Sequence, residues 1–158
     1  MLILDARVLL VAAGVSLASF PAQSCDPSAR VFFVRPYNHA TVVAPVRMVF
    51  GSELVEVKAV PAGEPRGNTG HYDLLVNLPG VPVGVQVPSD KQHLRYDKGE
   101  TEAQVDLPPG TYTLTLQFAD GENRSHGLEM SATINLTVLD RLPSRSSSGD
   151  LVLFPGSS

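Results

Sequence analysis

Leu107-Pro108-Pro109-Gly110-Thr111-Tyr112-Thr113-Leu114-Thr115-Leu116-Gln117-Phe118 decides the fold. After a Pro-Pro-Gly turn, Tyr112, Leu114, Leu116 and Phe118 point one way and Thr111, Thr113, Thr115 and Gln117 the other. A period of two in β-favouring residues predicts a strand with one face on a core. Working outward, Glu100–Leu107 alternates with a polar outer face, and Met130–Val138 alternates again as the last strand. Towards the N-terminus, Val46, Met48 and Phe50 form an inward stripe, and Ala40–Val43 is a short edge-like piece stopped by Pro45. Arg30–Val34 is apolar on both faces, which predicts a strand covered on both sides. Leu54–Val57 is a weaker strand.

The 13 Gly and 13 Pro punctuate these runs, and nothing longer than a turn shows helical spacing after residue 24. About seven to eight short strands separated by turn signals predict an all-β antiparallel sandwich. Leu107-x-x-Gly110-x-Tyr112 resembles the tyrosine corner of immunoglobulin-like domains, in which the phenol ties down the turn before a strand. Leu114 then stands where an antibody domain has its second cysteine, with Met48 as the counterpart that puts sulphur against an aliphatic side chain. The expected fold is therefore an immunoglobulin-like β-sandwich over residues 30–139.

Residues 1–24 read as an export signal. Arg7 supplies a basic start, Val8–Ala18 is an apolar run too short for a stable anchor, and Ala22-Gln23-Ser24 puts small residues before a cut at Cys25. Cys25 is the sole cysteine, so no intramolecular disulfide forms. It would also become the first mature residue, the place of an acylated cysteine, which makes Cys25 a lipidation candidate and the sole expected contact with a membrane. Residues 25–29 form a short linker, and the Ser-, Pro- and Arg-rich residues 140–158 read as a disordered tail. The expected location is periplasmic or secreted, soluble or membrane-anchored as a lipoprotein. A net charge of −4 argues against a nucleic-acid partner.

Several of these stretches together suggest a family. Ala29-Arg30-Val31-Phe32-Phe33-Val34, Ala59-Val60-Pro61-Ala62-Gly63-Glu64, Thr69-Gly70-His71, Gln92-His93-Leu94, Lys98-Gly99-Glu100-Thr101-Glu102 and Leu107-Pro108-Pro109-Gly110 occur in an order that resembles the DUF4399 domain, over about residues 29–139. The resemblance implies an exported bacterial immunoglobulin-like domain with no catalytic mechanism. Members of that family often carry further histidines where this chain has Asp73 and Arg95.

The residues most able to do chemistry are His71, Asp73 and His93, with His126. On a strand, positions i and i+2 share a face at roughly 6.5–7 Å, close enough to converge on one ion. If 71–77 and 92–96 are neighbouring strands, His93 joins the pair and His126 supplies a fourth ligand, a set suited to Cu or Zn. The competing reading is a solvated outer face on which Asp73 and Arg95 form an ion pair worth under ~1 kcal/mol. A guanidinium beside imidazoles repels a dication, which favours the second reading.

Catalytic residues are not indicated. Ser125-His126 adjacency does not orient a nucleophile, no Gly-x-Ser-x-Gly elbow exists, and Asp120 and Glu122 flank Gly121 as turn residues. With no enzyme and no obligatory cofactor expected, the leading function is an envelope accessory or interaction module. It would meet an envelope protein through loops 61–70, 79–90 and 119–128. The alternative is a periplasmic Cu- or Zn-binding domain.

Overall fold

The alternating stretch after Pro108-Pro109 forms the central strand of a six-stranded sheet. In the computed structural model, which describes residues 28–59 and 67–141, the strands are β1 (Arg30–Arg35), β2 (Ala40–Val43), β3 (Val46–Glu53), β4 (Glu56–Val57), β5 (Thr69–Val76), β6 (His93–Tyr96), β7 (Glu102–Val105), β8 (Gly110–Ala119) and β9 (Ser131–Leu139). A single 3₁₀ turn, Leu128–Met130, is the only helical element among the described residues. The export signal 1–24, Cys25, most of loop 61–70 and the tail beyond Arg141 lie outside the described residues.

Two sheets pack face to face as an all-β sandwich. One has the order β1-β3-β7, and the other β2-β9-β8-β5-β4, with β6 also paired to β5. Most pairs are antiparallel, as expected of such a sandwich, and two short edge pairings, β2 with β9 and β4 with β5, are parallel. The core lies between the sheets. Leu114, Leu116 and Phe118 from β8, Tyr72 and Leu74 from β5, and Met48 from β3 are all fully buried in one cluster. Burying each of the large aliphatic or aromatic side chains is worth about 1.5–3 kcal/mol.

Phe50 links the two layers. Its ring meets Tyr72 edge-on at 5.5 Å and Tyr96 at 5.4 Å, while Tyr72 meets Phe118 edge-on at 6.4 Å. Such offset pairs add about 0.5–1.5 kcal/mol beyond the area they bury. Burial and the nearby Glu100 carboxylate push the Tyr96 phenol up to about 12. The corner before β8 is tied as its sequence predicts, since the Tyr112 hydroxyl donates to the Pro108 carbonyl at 2.8 Å.

Two expectations change at the level of burial. β1 is an edge strand whose ladder partner is β3, with a register shift between Phe33 and Arg35, so Val34 is 41% exposed and not covered. β5 departs in the opposite direction. Its second face carries His71, Asp73 and Leu75, a pattern that predicts solvent contact, yet Gly70 to Val76 are buried without a break. The cause is a second layer over that face, built from the segments after β5 and after β8.

Candidate functional site

On the outer face of the six-stranded sheet the ladder sets Asp73 between Arg95 of β6 and Gln117 of β8, and Leu75 between His93 and Thr115. Further along, Thr115 faces Thr133, Thr113 faces Asn135 and Gln117 faces Ser131 across β8 and β9. All of these but Leu75 are polar residues that alternation places on the outer face. The pairing register assembles them into one continuous polar field across four strands.

Part of that field is sealed by a cap. Residues 81–88 and 120–127 lie over it and bond to each other, with Gly84 N–H to the Ser125 carbonyl at 2.8 Å, Ser125 N–H to Val85 at 2.9 Å and Val87 N–H to Asn123 at 2.8 Å. Asp120 shapes the second segment, its Oδ1 accepting from the backbone N–H of both Glu122 and Arg124 at 2.9 Å. This is the turn role that its spacing from Gly121 suggests.

Buried side chains bind the cap to the sheet. Gln117, fully buried, accepts from Val81 N–H at 2.9 Å through Oε1 and donates from Nε2 to the Gly127 and Met130 carbonyls at 3.0 and 3.2 Å. Ser125 donates its hydroxyl to the Val81 carbonyl at 2.7 Å and accepts from Gly127 N–H, so it is a buried tie. Arg95 reaches both layers, with Nε to Asp73 Oδ1 at 3.2 Å and Nη2 to the Val87 carbonyl at 2.9 Å.

This geometry corrects the reading of Asp73–Arg95 as a solvated pair. The Asp73 side chain is 0% exposed and that of Arg95 18%. The cap excludes water, so both the attraction and the penalty for breaking the pair are larger than at a surface. His71 Nε2 lies 3.4 Å from Asp73 Oδ2, and neither atom makes a hydrogen bond.

The four histidine and aspartate positions considered together in sequence are not brought together. His93 pairs with Leu75, four residues along β5 from His71, which is about 13 Å at the usual rise per residue. The His93 imidazole instead meets Asp90 Oδ1 through Nδ1 at 2.8 Å, and that bond, followed by the Gln92 N–H, holds the Asp90 carboxyl below its ordinary value. His126 packs against Phe118 with the rings tilted by 56° and centroids 5.0 Å apart, and burial lowers its pKa, offset in part by Asp120. Among the described residues no group of three or more His, Cys, Asp or Glu could hold a metal ion.

Beyond the edge of the cap the polar field opens into a groove of about 480 Å³, lined by Asn77, Leu78, Pro79, Gly80, Thr113, Thr115, Leu128, Ser131 and Thr133. Asn77 shapes its near wall. It ends β5 in the left-handed region at φ 57 and its Oδ1 accepts from Thr113 N–H at 3.0 Å. Gly80 marks the border with the cap, where a Cβ would press on Ser131 Oγ, Leu128 and Gln117. Above the groove stands an apolar crest, with Val83 75% and Leu128 60% exposed. The two residues are near neighbours, since Val83 lies against Gly127. The expected binding loops 79–90 and 119–128 contain Pro79, Gly80 and Leu128 of this groove, whereas Asn77, Leu78 and the hydroxyl residues of β8 and β9 are not singled out by the sequence. The signal was present in the Thr113-x-Thr115 and Ser131-x-Thr133 alternations, which become one surface once β8 and β9 are paired.

The fold and the capped face define the chain as a two-sheet β-sandwich in which loops cover part of one outer face and leave a groove open beside them. The family model DUF4399, described as a domain of unknown function, matches residues 49–139, and the chain belongs to that family. Neither a curated protein nor a solved structure matches it.

Proposed function

We propose that this chain is an exported, non-catalytic immunoglobulin-like binding module of the bacterial envelope, and that it binds through the groove and crest beside the cap. One observation carries the reading. The open groove and the exposed Val83 and Leu128 sit together beside a part of the same face that is sealed by buried polar bonds. A rigid floor with exposed apolar side chains at its rim suits recognition, because little order has to be imposed on binding. Export rests on the pattern of residues 1–24, with Cys25 as the candidate lipid anchor.

A Cu or Zn role for His71, Asp73, His93 and His126 has less support. The four are dispersed, and the closest pair has the Arg95 guanidinium bonded to its carboxylate.

The test is capture of envelope partners by immobilised full-length chain, compared with Val83→Glu/Leu128→Glu and with Leu54→Glu, which alters an exposed leucine away from the groove. Partners lost only with the first variant are the expected result. Partners retained by all three proteins, or lost equally with Leu54→Glu, would refute a binding role for the crest.

A further inference from the structure

The ligand class follows from where the groove's hydroxyl protons go, an argument that rests on the binding reading above. Thr115 Oγ1 donates to the Leu78 carbonyl at 2.9 Å, and Ser131 Oγ donates to the Leu128 carbonyl at 2.6 Å. Thr113 Oγ1 donates to Asn135 Oδ1 at 2.9 Å. Thr115 and Thr133 hydroxyls are 3.1 Å apart, and since Thr115 has already given its one proton to Leu78, Thr133 is the donor. All four protons are therefore committed to the protein.

What remains towards the groove is the hydroxyl lone pairs of Thr113, Ser131 and Thr133, since Thr115 is fully buried and already accepts from Thr133, joined by one amide donor, Asn77 Nδ2, whose Oδ1 is occupied by Thr113 N–H. With one side-chain donor and no Lys, Arg or His in its lining, this acceptor-rich floor is a poor match for the charged oxygens of phosphate, sulfate or carboxylate. The ligand must bring the donors. An ammonium or guanidinium group would bring them with a charge, but no carboxylate lines the groove to meet it. A neutral compound bearing several hydroxyls fits both conditions, and Leu78, Pro79 and Leu128 give its C–H faces an apolar wall. We infer that the groove between β8, β9 and residues 77–80 is a subsite for neutral oligosaccharide.

The experiment is titration of ¹⁵N-labelled full-length chain with maltohexaose, cellohexaose and chitotetraose, and with oligogalacturonate as the anionic comparison, following amide shifts. Expected is saturable movement of Thr113, Gly80, Ser131 and Thr133 with at least one neutral sugar and none with oligogalacturonate. Thr133→Val, which removes an exposed acceptor, should weaken that affinity about 5- to 10-fold, and Thr133→Ser should restore it. The inference is overturned if no neutral sugar moves these amides at about 10 mM. Stronger binding of oligogalacturonate, or affinity unchanged by Thr133→Val, overturns it equally. Partner capture that still depends on Val83 and Leu128 after such a result would leave the binding reading standing, whereas loss of both would remove the two together.

Discussion

Replacing Arg95 with Met would strip the buried Asp73 carboxylate of its cation. Asp73 has no exposure, one oxygen bonded to Arg95 Nε at 3.2 Å and the other without any hydrogen bond. An ion pair broken at that depth costs about 3–5 kcal/mol, because the remaining charge is shut off from water with only the His71 imidazole, 3.4 Å away, beside it. The same substitution releases the Val87 carbonyl, which Arg95 holds at 2.9 Å, so the cap loses an anchor. Asp73→Leu is the gentler change. It leaves Arg95, with 18% of its side chain in solvent, still bonded to the cap carbonyls of Val87 and Pro88. The double variant Asp73→Leu/Arg95→Met should recover at least about 2 kcal/mol of the Arg95→Met loss, since apolar pairs replace buried ion pairs at little or no cost. Urea unfolding of the full chain measures this, and about 4 kcal/mol should move the midpoint by about 2 M. An Arg95→Met loss below about 1 kcal/mol, or a double variant equal to the sum of the singles, would show the pair to be solvated and the argument wrong.

Three further outcomes are expected. Tyr112→Phe removes the bond to the Pro108 carbonyl and should cost about 0.5–1.5 kcal/mol in urea, with no change in sheet content by circular dichroism. Gly70→Ala drives a Cβ into the Ala119 carbonyl and the Phe118 ring, across the β5–β8 pairing, and should lower stability by about 1–3 kcal/mol or more. Burial depresses the His126 imidazole from 6.5, so the unfolded chain takes up that proton first. Stability is therefore full above the unfolded value and falls as pH drops through it towards the lower folded value. Urea midpoints between about pH 7.5 and 5 should show that slope for the wild type and a reduced one for His126→Phe.

The sandwich was legible because its inward residues alternate without error where it matters. Leu114, Leu116 and Phe118 are all fully buried, as their spacing requires, and the tyrosine corner closes on Pro108. The family, too, could be read from ordered short stretches. The opposite face was not legible, for a physical reason. Polar residues at alternate positions mean solvent only when nothing lies over them, and here loops without periodicity of their own supply the cover. Asp73 and Gln117 look like surface residues in sequence and are among the most buried in the molecule. The histidines misled in a related way. His71 and His93 sit on adjacent strands, but the register places them four residues apart, and register between distant strands is invisible in single-strand patterns.

The cap gives the protein an unusual liability for engineers. Antibody-like scaffolds tolerate foreign loops because their natural loops rest on nothing vital. Here, exchanging residues 81–88 or 120–127 would uncover Asp73, His71 and Gln117 and remove the cap groups to which Gln117 and Arg95 are bonded. Display libraries built on this frame should therefore vary side chains on the crest at Val83 and Leu128 and leave the backbone between them as it stands.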